Sequence, residues 1–110
     1  MEHKHEDFCK EIEQVANLYG WFVFRVRPVM FANGHYATQV AAQGVGYPDQ
    51  TLVNPDKKLI MWFEVKIPPD KCKPEQLEWH QRIKDAGGIV MVVTPADWDT
   101  IVDVMSGQGG

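Results

Sequence analysis

Apolar side chains between residues 6 and 19 fall at Phe8, Ile12, Val15, Ala16 and Tyr19, a spacing that gathers them into one helical stripe. Gly20 follows as the expected helix stop. Trp21 to Arg27 is aromatic and β-branched, and Arg25 and Arg27 leave it on one face, so the pattern predicts a strand that begins buried and ends basic. From Pro28 to Gly46 no period persists, and Asn33-Gly34 and Gly44-Val45-Gly46 are turn chemistry, so this stretch is predicted as a long loop. Gln50–Val53 and Leu59–Lys66 are two further strands, joined by Asn54 to Lys58 in a hairpin. Pairing Val53 with Leu59 lays Asp49 opposite Phe63 and beside Glu64.

Pro68-Pro69 breaks the second of these strands. Lys73-Pro74-Glu75-Gln76 opens a helix that carries Leu77, Trp79, His80 and Ile83 and ends at Gly87-Gly88. Ile89–Val93 is wholly apolar, the pattern of a strand buried on both faces. A last helix runs from Thr94-Pro95 through Met105, and residues 106–110 form a disordered tail behind a single domain of residues 1–105. The order helix, strand, loop, hairpin, helix, strand, helix predicts an α/β fold built around a small mixed sheet.

Charge changes this picture more than composition does. The net charge of −4 argues at first against a polyanionic partner. Its distribution argues the other way: both ends are acidic, whereas residues 24–84 hold nine Lys and Arg against six acids. The two cysteines, Cys9 and Cys72, form neither a disulfide framework nor a zinc-type pair. With a charged start and no long apolar run, the chain is expected to be soluble, cytoplasmic and free of membrane spans.

The chemistry concentrates at Pro48-Asp49 and, after fourteen intervening residues, Glu64-Val65-Lys66. Glu64 and Lys66 alternate with Val65 on a strand and so share a face, and the hairpin brings Asp49 beside them. Two neighbouring carboxylates repel, and a hard divalent cation such as Mg²⁺ relieves that repulsion through oxygen ligands. A lysine beside such a cation can orient a water or stabilise charge on phosphate oxygens.

Taken together, Gly46-Tyr47-Pro48-Asp49, Phe63-Glu64-Val65-Lys66, Lys71-Cys72-Lys73-Pro74-Glu75-Gln76-Leu77-Glu78-Trp79 and Ala86-Gly87-Gly88 make the chain resemble the VRR-NUC domain of the PD-(D/E)xK superfamily. Gly20-Trp21 and Pro95-Ala96-Asp97-Trp98 extend the resemblance to nearly the whole length. It implies a restriction-endonuclease-like αβββαβ core and, as in stand-alone phage-type members, a metal-dependent endonuclease that works as a homodimer on branched DNA such as four-way junctions. It implies Asp49 and Glu64 as metal-binding acids, with Val65 in the metal set, Lys66 as the catalytic lysine and Gln76 as a further residue at the site. Mg²⁺ is the implied cofactor, with Mn²⁺ able to substitute, and no organic cofactor is expected. A last acid is implied from the first helix, and Glu6 is preferred to Glu11.

Arg25 and Arg27 suit phosphate contact, as do Lys71 and Lys73, with Lys57 and Lys58 also flanking the hairpin. His35 and Tyr36 sit in the long loop where DNA could pass, and His3 and His5 are assigned nothing. Trp79 and Trp98 are expected in packing roles. Apolar residues of the 28–46 segment and the last helix with Trp98 are the candidate dimer surfaces. The competing function classes are a non-catalytic module that binds DNA structures and a plain interaction domain.

Overall fold

The computed structural model describes residues 4–25, 29–30, 36–37 and 44–107. Its elements are α1 (Lys4–Leu18), β1 (Phe22–Arg25), β2 (Val29–Met30), β3 (Tyr36–Ala37), β4 (Gln50–Asn54), β5 (Leu59–Val65), α2 (Pro74–Asp85), β6 (Ile89–Val93) and α3 (Trp98–Ser106), with a short 3₁₀ turn at Pro95–Asp97. Four strands form one sheet in the order β1-β4-β5-β6, antiparallel except for the parallel pair β5 and β6. A parallel neighbour needs a crossover, and α2 supplies it. The result is the expected αβββαβ order, a small mixed sheet flanked by helices as in restriction-endonuclease-like folds.

One sheet face carries the core. Leu52, Met61, Phe63, Val65 and Val93 meet Phe8, Cys9, Ile12 and Ala16 of α1 and Ile101 and Met105 of α3. The Trp21 indole is buried and donates its N–H to the Met105 carbonyl at 2.9 Å, tying the end of α3 to the start of β1. Trp98 packs on Phe8, with ring centroids 6.1 Å apart. The last helix therefore spends its apolar face inside the protomer, which removes it as a ready dimer surface. No helix among the described residues is long and apolar enough to cross a membrane.

Several local expectations change. The 28–46 segment contains a short antiparallel pairing of β2 with β3, where a continuous loop was expected. Both β1 and β6 are edges of the four-stranded sheet, so each keeps apolar side chains in water: Phe22 and Phe24 on one, Ile89 and Val92 on the other. Neither strand is buried as its composition suggests, because composition does not encode position within a sheet. Ser106, assigned to the tail, is helical, and Gly107 caps α3 with a left-handed φ of 80°.

The hairpin register is offset by one from the expected pairing. Asn54 belongs to β4 and stands opposite Leu59, and Gln50 stands opposite Phe63. The cause is the Asn54 side chain, which is buried, donates to the Tyr19 carbonyl at 3.3 Å and accepts the Lys57 backbone N–H at 3.0 Å. Carried one residue past Gln50, this register sets Asp49 against Glu64.

Candidate active site

At the end of β5, where α1 and α2 both begin, the fold gathers the charged residues singled out above. Glu64 lies inside, its side chain 1% exposed, and Lys66 Nζ stands 3.6 Å from its Oε2. Asp49 arrives on the loop before β4 and accepts the Val65 backbone N–H on Oδ2 at 2.7 Å. This N–H lies just beyond the last β4–β5 pair, so the carboxylate takes the place of a strand partner.

The loop that carries Asp49 is fixed from two sides. A Cβ built on Gly46 would stand 2.6 Å from the Glu75 carbonyl, so glycine is what lets the loop lie against the first turn of α2. Tyr47 accepts the Trp62 indole N–H at 2.6 Å and meets Trp79 edge-on, with centroids 5.1 Å apart. At the other end of α2 a Cβ on Gly88 would stand 2.9 Å from Trp62, so the Gly-Gly stop keeps the helix close to β5.

Gln76 has two partners. Its Oε1 accepts the Lys73 backbone N–H at 2.8 Å, capping α2, and its Nε2 donates to Glu64 Oε2 at 3.3 Å. One turn on, His80 is buried and its Nε2 is 3.2 Å from Glu64 Oε1. Sequence reasoning took His80 as one more helix residue. Its position four after Gln76, on the same helical face, was the available signal.

His5, to which the sequence gave no role, reaches the same place. Its Nε2 lies 3.1 Å from the Val65 carbonyl oxygen and 3.4 Å from Asp49 Oδ2, while its Nδ1 faces Cys9 Sγ at 3.9 Å. His5 lies three and four residues before Phe8 and Cys9, on the inward stripe of α1.

The first-helix acids lie elsewhere. Glu6 accepts two hydrogen bonds from the Arg25 guanidinium, at 2.8 and 3.1 Å, and Glu13 accepts one from Arg25 Nε. Gln50 Nε2 also donates to Glu13, at 3.3 Å. Arg25, expected to face phosphate, thus has two carboxylates and a side chain only 11% exposed. Glu11 is exposed on α1. Lys71 and Lys73 are exposed on the segment that joins Lys66 to α2. Lys57 and Lys58 are at the far end of the hairpin, beyond Leu59, which is itself roughly 17 Å from Glu64 at the usual rise per strand residue. Arg27, His3 and His35 lie outside the described residues, as does the side chain of Tyr36.

The electrostatics of the cluster are unbalanced. Burial, then the charge of Asp49 and a hydrogen bond shared with it, push the Glu64 carboxyl up to about 8, with Lys66 pulling weakly the other way. Burial works against the Asp49 carboxylate too, but hydrogen bonds from His5, Glu64 and the Val65 N–H outweigh it and hold Asp49 below its usual value. His5 is raised to about 10, chiefly by its hydrogen bond to Asp49. Burial, then Lys84 and Lys66, lower His80 and so disfavour its charged form. Among the described residues, no three His, Cys, Asp or Glu side chains are gathered into a ready-made metal site. A cation held here would need the Val65 carbonyl or water as a further donor.

A separate cleft of about 540 Å³ opens on the α2 side of the sheet, between Ile60, Trp62, Trp79, Arg82 and Gly88. Its walls carry no carboxylate or histidine, so the charged cluster and this cleft are distinct features.

A family model described as the VRR-NUC domain matches residues 31–97, more than half of the chain. Comparison with curated proteins and with solved structures finds no match.

Proposed function

The chain belongs to the VRR-NUC domain family, a family of nucleases, and from that premise we propose that it is a Mg²⁺-dependent endonuclease that hydrolyses DNA phosphodiesters, acting as a homodimer on branched DNA such as four-way junctions. The observation that supports this most is the placement of the Glu64 carboxyl, its side chain 1% exposed, beside Asp49 and 3.6 Å from Lys66, where burial and then the Asp49 charge push it up to about 8. A side chain left in that state destabilises its own surroundings, and a binding module gains nothing from it.

A divalent cation fits the donors present. Asp49 and Glu64 offer two carboxylates and Val65 a backbone carbonyl whose present partner is the His5 ring. When bound, the cation supplies Lewis-acid polarisation of the scissile phosphate and lowers the pKa of bound water. The rest falls to the protein. Lys66, next to Glu64, places an ammonium where it can hold the attacking water or offset charge growing on phosphate oxygens. Gln76 and His80 fix both oxygens of Glu64, so the carboxylate does not swing as substrate arrives. Exposed Lys71 and Lys73 offer the phosphate backbone two charges beside the site.

Labelled four-way junctions, flaps, duplexes and single strands incubated with wild type and Glu64→Ala in Mg²⁺, Mn²⁺ and EDTA test the proposal. Cleavage of branched DNA by wild type alone, abolished by EDTA, is expected. Binding without cleavage under every condition would replace it with the non-catalytic alternative. Light scattering of the active species tests the homodimer, and a strict monomer with full junction-cutting activity would overturn that part.

A further inference from the structure

We propose that His5 is itself a metal ligand of this site, so that α1 contributes an imidazole nitrogen in place of a carboxylate and the donor set is mixed nitrogen and oxygen. The inference rests on the metal-dependent function proposed above and sharpens it, because such a set favours Mn²⁺ and other transition ions over Mg²⁺, which prefers oxygen and gives up its waters reluctantly.

The argument is geometric. His5 Nε2 is 3.1 Å from the Val65 carbonyl oxygen and 3.4 Å from Asp49 Oδ2. Neighbouring ligands around an octahedral ion with bonds of about 2.1 Å stand about 3.0 Å apart. His5 Nε2 thus stands from each of two oxygens at close to the spacing of adjacent ligands, and those oxygens belong to residues 44 and 60 positions away in the chain. The ring is also held in this orientation: Nδ1 faces the buried Cys9 Sγ at 3.9 Å, and Phe8, Cys9 and Ile12 anchor the helix beneath it. Metal-binding histidines are commonly fixed through their second nitrogen in this way. Independently, Glu6, the acid that the family resemblance implies from this helix, is engaged by Arg25. His5 is an α1 side chain that meets both Asp49 and Val65, and an ion bound at Nε2 would displace to solvent the proton that now serves those contacts.

The test is Mn²⁺ binding to the whole chain, followed by calorimetry and by pulsed electron paramagnetic resonance, for wild type, His5→Ala, His5→Gln, His80→Ala, Asp49→Asn and Glu64→Ala. In wild type the bound Mn²⁺ is expected to show ¹⁴N coupling from imidazole. That coupling should persist in His80→Ala and vanish in both His5 variants. Mn²⁺ affinity should fall about 10- to 100-fold in His5→Ala, and Mg²⁺ affinity by a smaller factor. The His5 ring is half-exposed, so the variants are expected to fold, and the wild-type and His80→Ala spectra test the assignment even if one does not. Coupling absent from wild type, retained in His5→Ala or lost in His80→Ala would overturn the assignment while leaving metal binding through Asp49 and Glu64 intact. No Mn²⁺ or Mg²⁺ binding by wild type would overturn this inference and the proposed metal dependence together.

Discussion

Two charged clusters lie on this small sheet, and they solve the same problem in opposite ways. Between α1 and β1, Arg25 is clasped by Glu6 and Glu13, and Lys10 stands 4.0 Å from Glu6, so two cations meet two acids with water within reach of both glutamates. At the end of β5, Glu64 is almost fully buried, with Asp49 against it and Lys66 at 3.6 Å, and its carboxyl is driven towards neutrality. Acids and bases occur in both places. Only the second drives a buried carboxyl up through burial and a neighbouring carboxylate, the imbalance expected of a ligand site. The first is a closed account of charge that fastens a helix to an edge strand.

The strongest way to break this contrast is to remove one member from each cluster. Glu64→Ala should lower DNA cleavage by at least 10²- to 10³-fold while leaving the melting temperature of the metal-free protein unchanged or higher, since it deletes a proposed ligand and relieves a buried group. Lys66→Ala should slow single-turnover cleavage by about 10²-fold with Mn²⁺ affinity nearly unchanged, and Lys66→Arg should rescue poorly because a planar fork does not replace a point charge. Complete loss of Mn²⁺ binding in Lys66→Ala would contradict that role.

Arg25→Ala should behave in the opposite manner. Two half-buried carboxylates lose their partner, so chemical denaturation should show a loss of about 2–3 kcal/mol, towards the low end for a broken ion pair because water reaches both glutamates. Combining Arg25→Met with Glu6→Gln and Glu13→Gln should recover most of it. Unchanged stability in Arg25→Ala would remove the structural half of the comparison.

Metal-free stability against pH separates the clusters a third way. Folded Glu64 holds its proton up to about 8, whereas the unfolded chain releases it near the ordinary value of 4.5. The folded state therefore binds more protons across that window, and its stability falls as pH rises. The contribution of Glu64 is complete below about 4.5 and lost on passing about 8. His5 acts with the same sign, complete below its ordinary 6.5 and lost on passing about 10. Between pH 5 and 8 the metal-free protein should lose on the order of 3 kcal/mol, most of it from Glu64 because His5 is half-exposed, and Glu64→Gln should flatten the decline. A flat wild-type profile would contradict the strained carboxyl.

How far the sequence discloses all this depends on the range of the interaction. The order of elements and the convergence of Asp49, Glu64 and Lys66 follow from short spacings: an alternating strand, a hairpin and a glycine that lets the loop lie against α2. Gln76 was half legible, because its capping bond to Lys73 is local and its bond to Glu64 is not. The pairing of Glu6 with Arg25 was illegible, since an acid near a helix start and an arginine on a strand each suit the active site when considered alone. Position within the sheet was equally hidden, so the apolar Ile89–Val93 was taken for a buried strand. His5 was lost for another reason: apolar periodicity is counted on apolar letters, and a histidine that prolongs the stripe into the site goes uncounted.

The smallest expected effect sharpens the comparison at the DNA surface. Lys71 and Lys73 are exposed on the segment that follows Lys66, whereas Lys57 and Lys58 lie at the far end of the β4–β5 hairpin, although all four are equivalent in sequence as basic residues flanking it. Phosphate contacts release counterions, and each one lost reduces the slope of log affinity against log salt by about one unit. Lys71→Ala and Lys73→Ala should each weaken binding to a branched substrate a few-fold and together reduce that slope by about two. Lys57→Ala with Lys58→Ala should leave affinity and slope within error if the substrate is centred on Asp49 and Glu64. A larger effect from the far pair would mean that DNA runs along the hairpin towards the cleft lined by Trp62 and Trp79, and the substrate path would have to be redrawn.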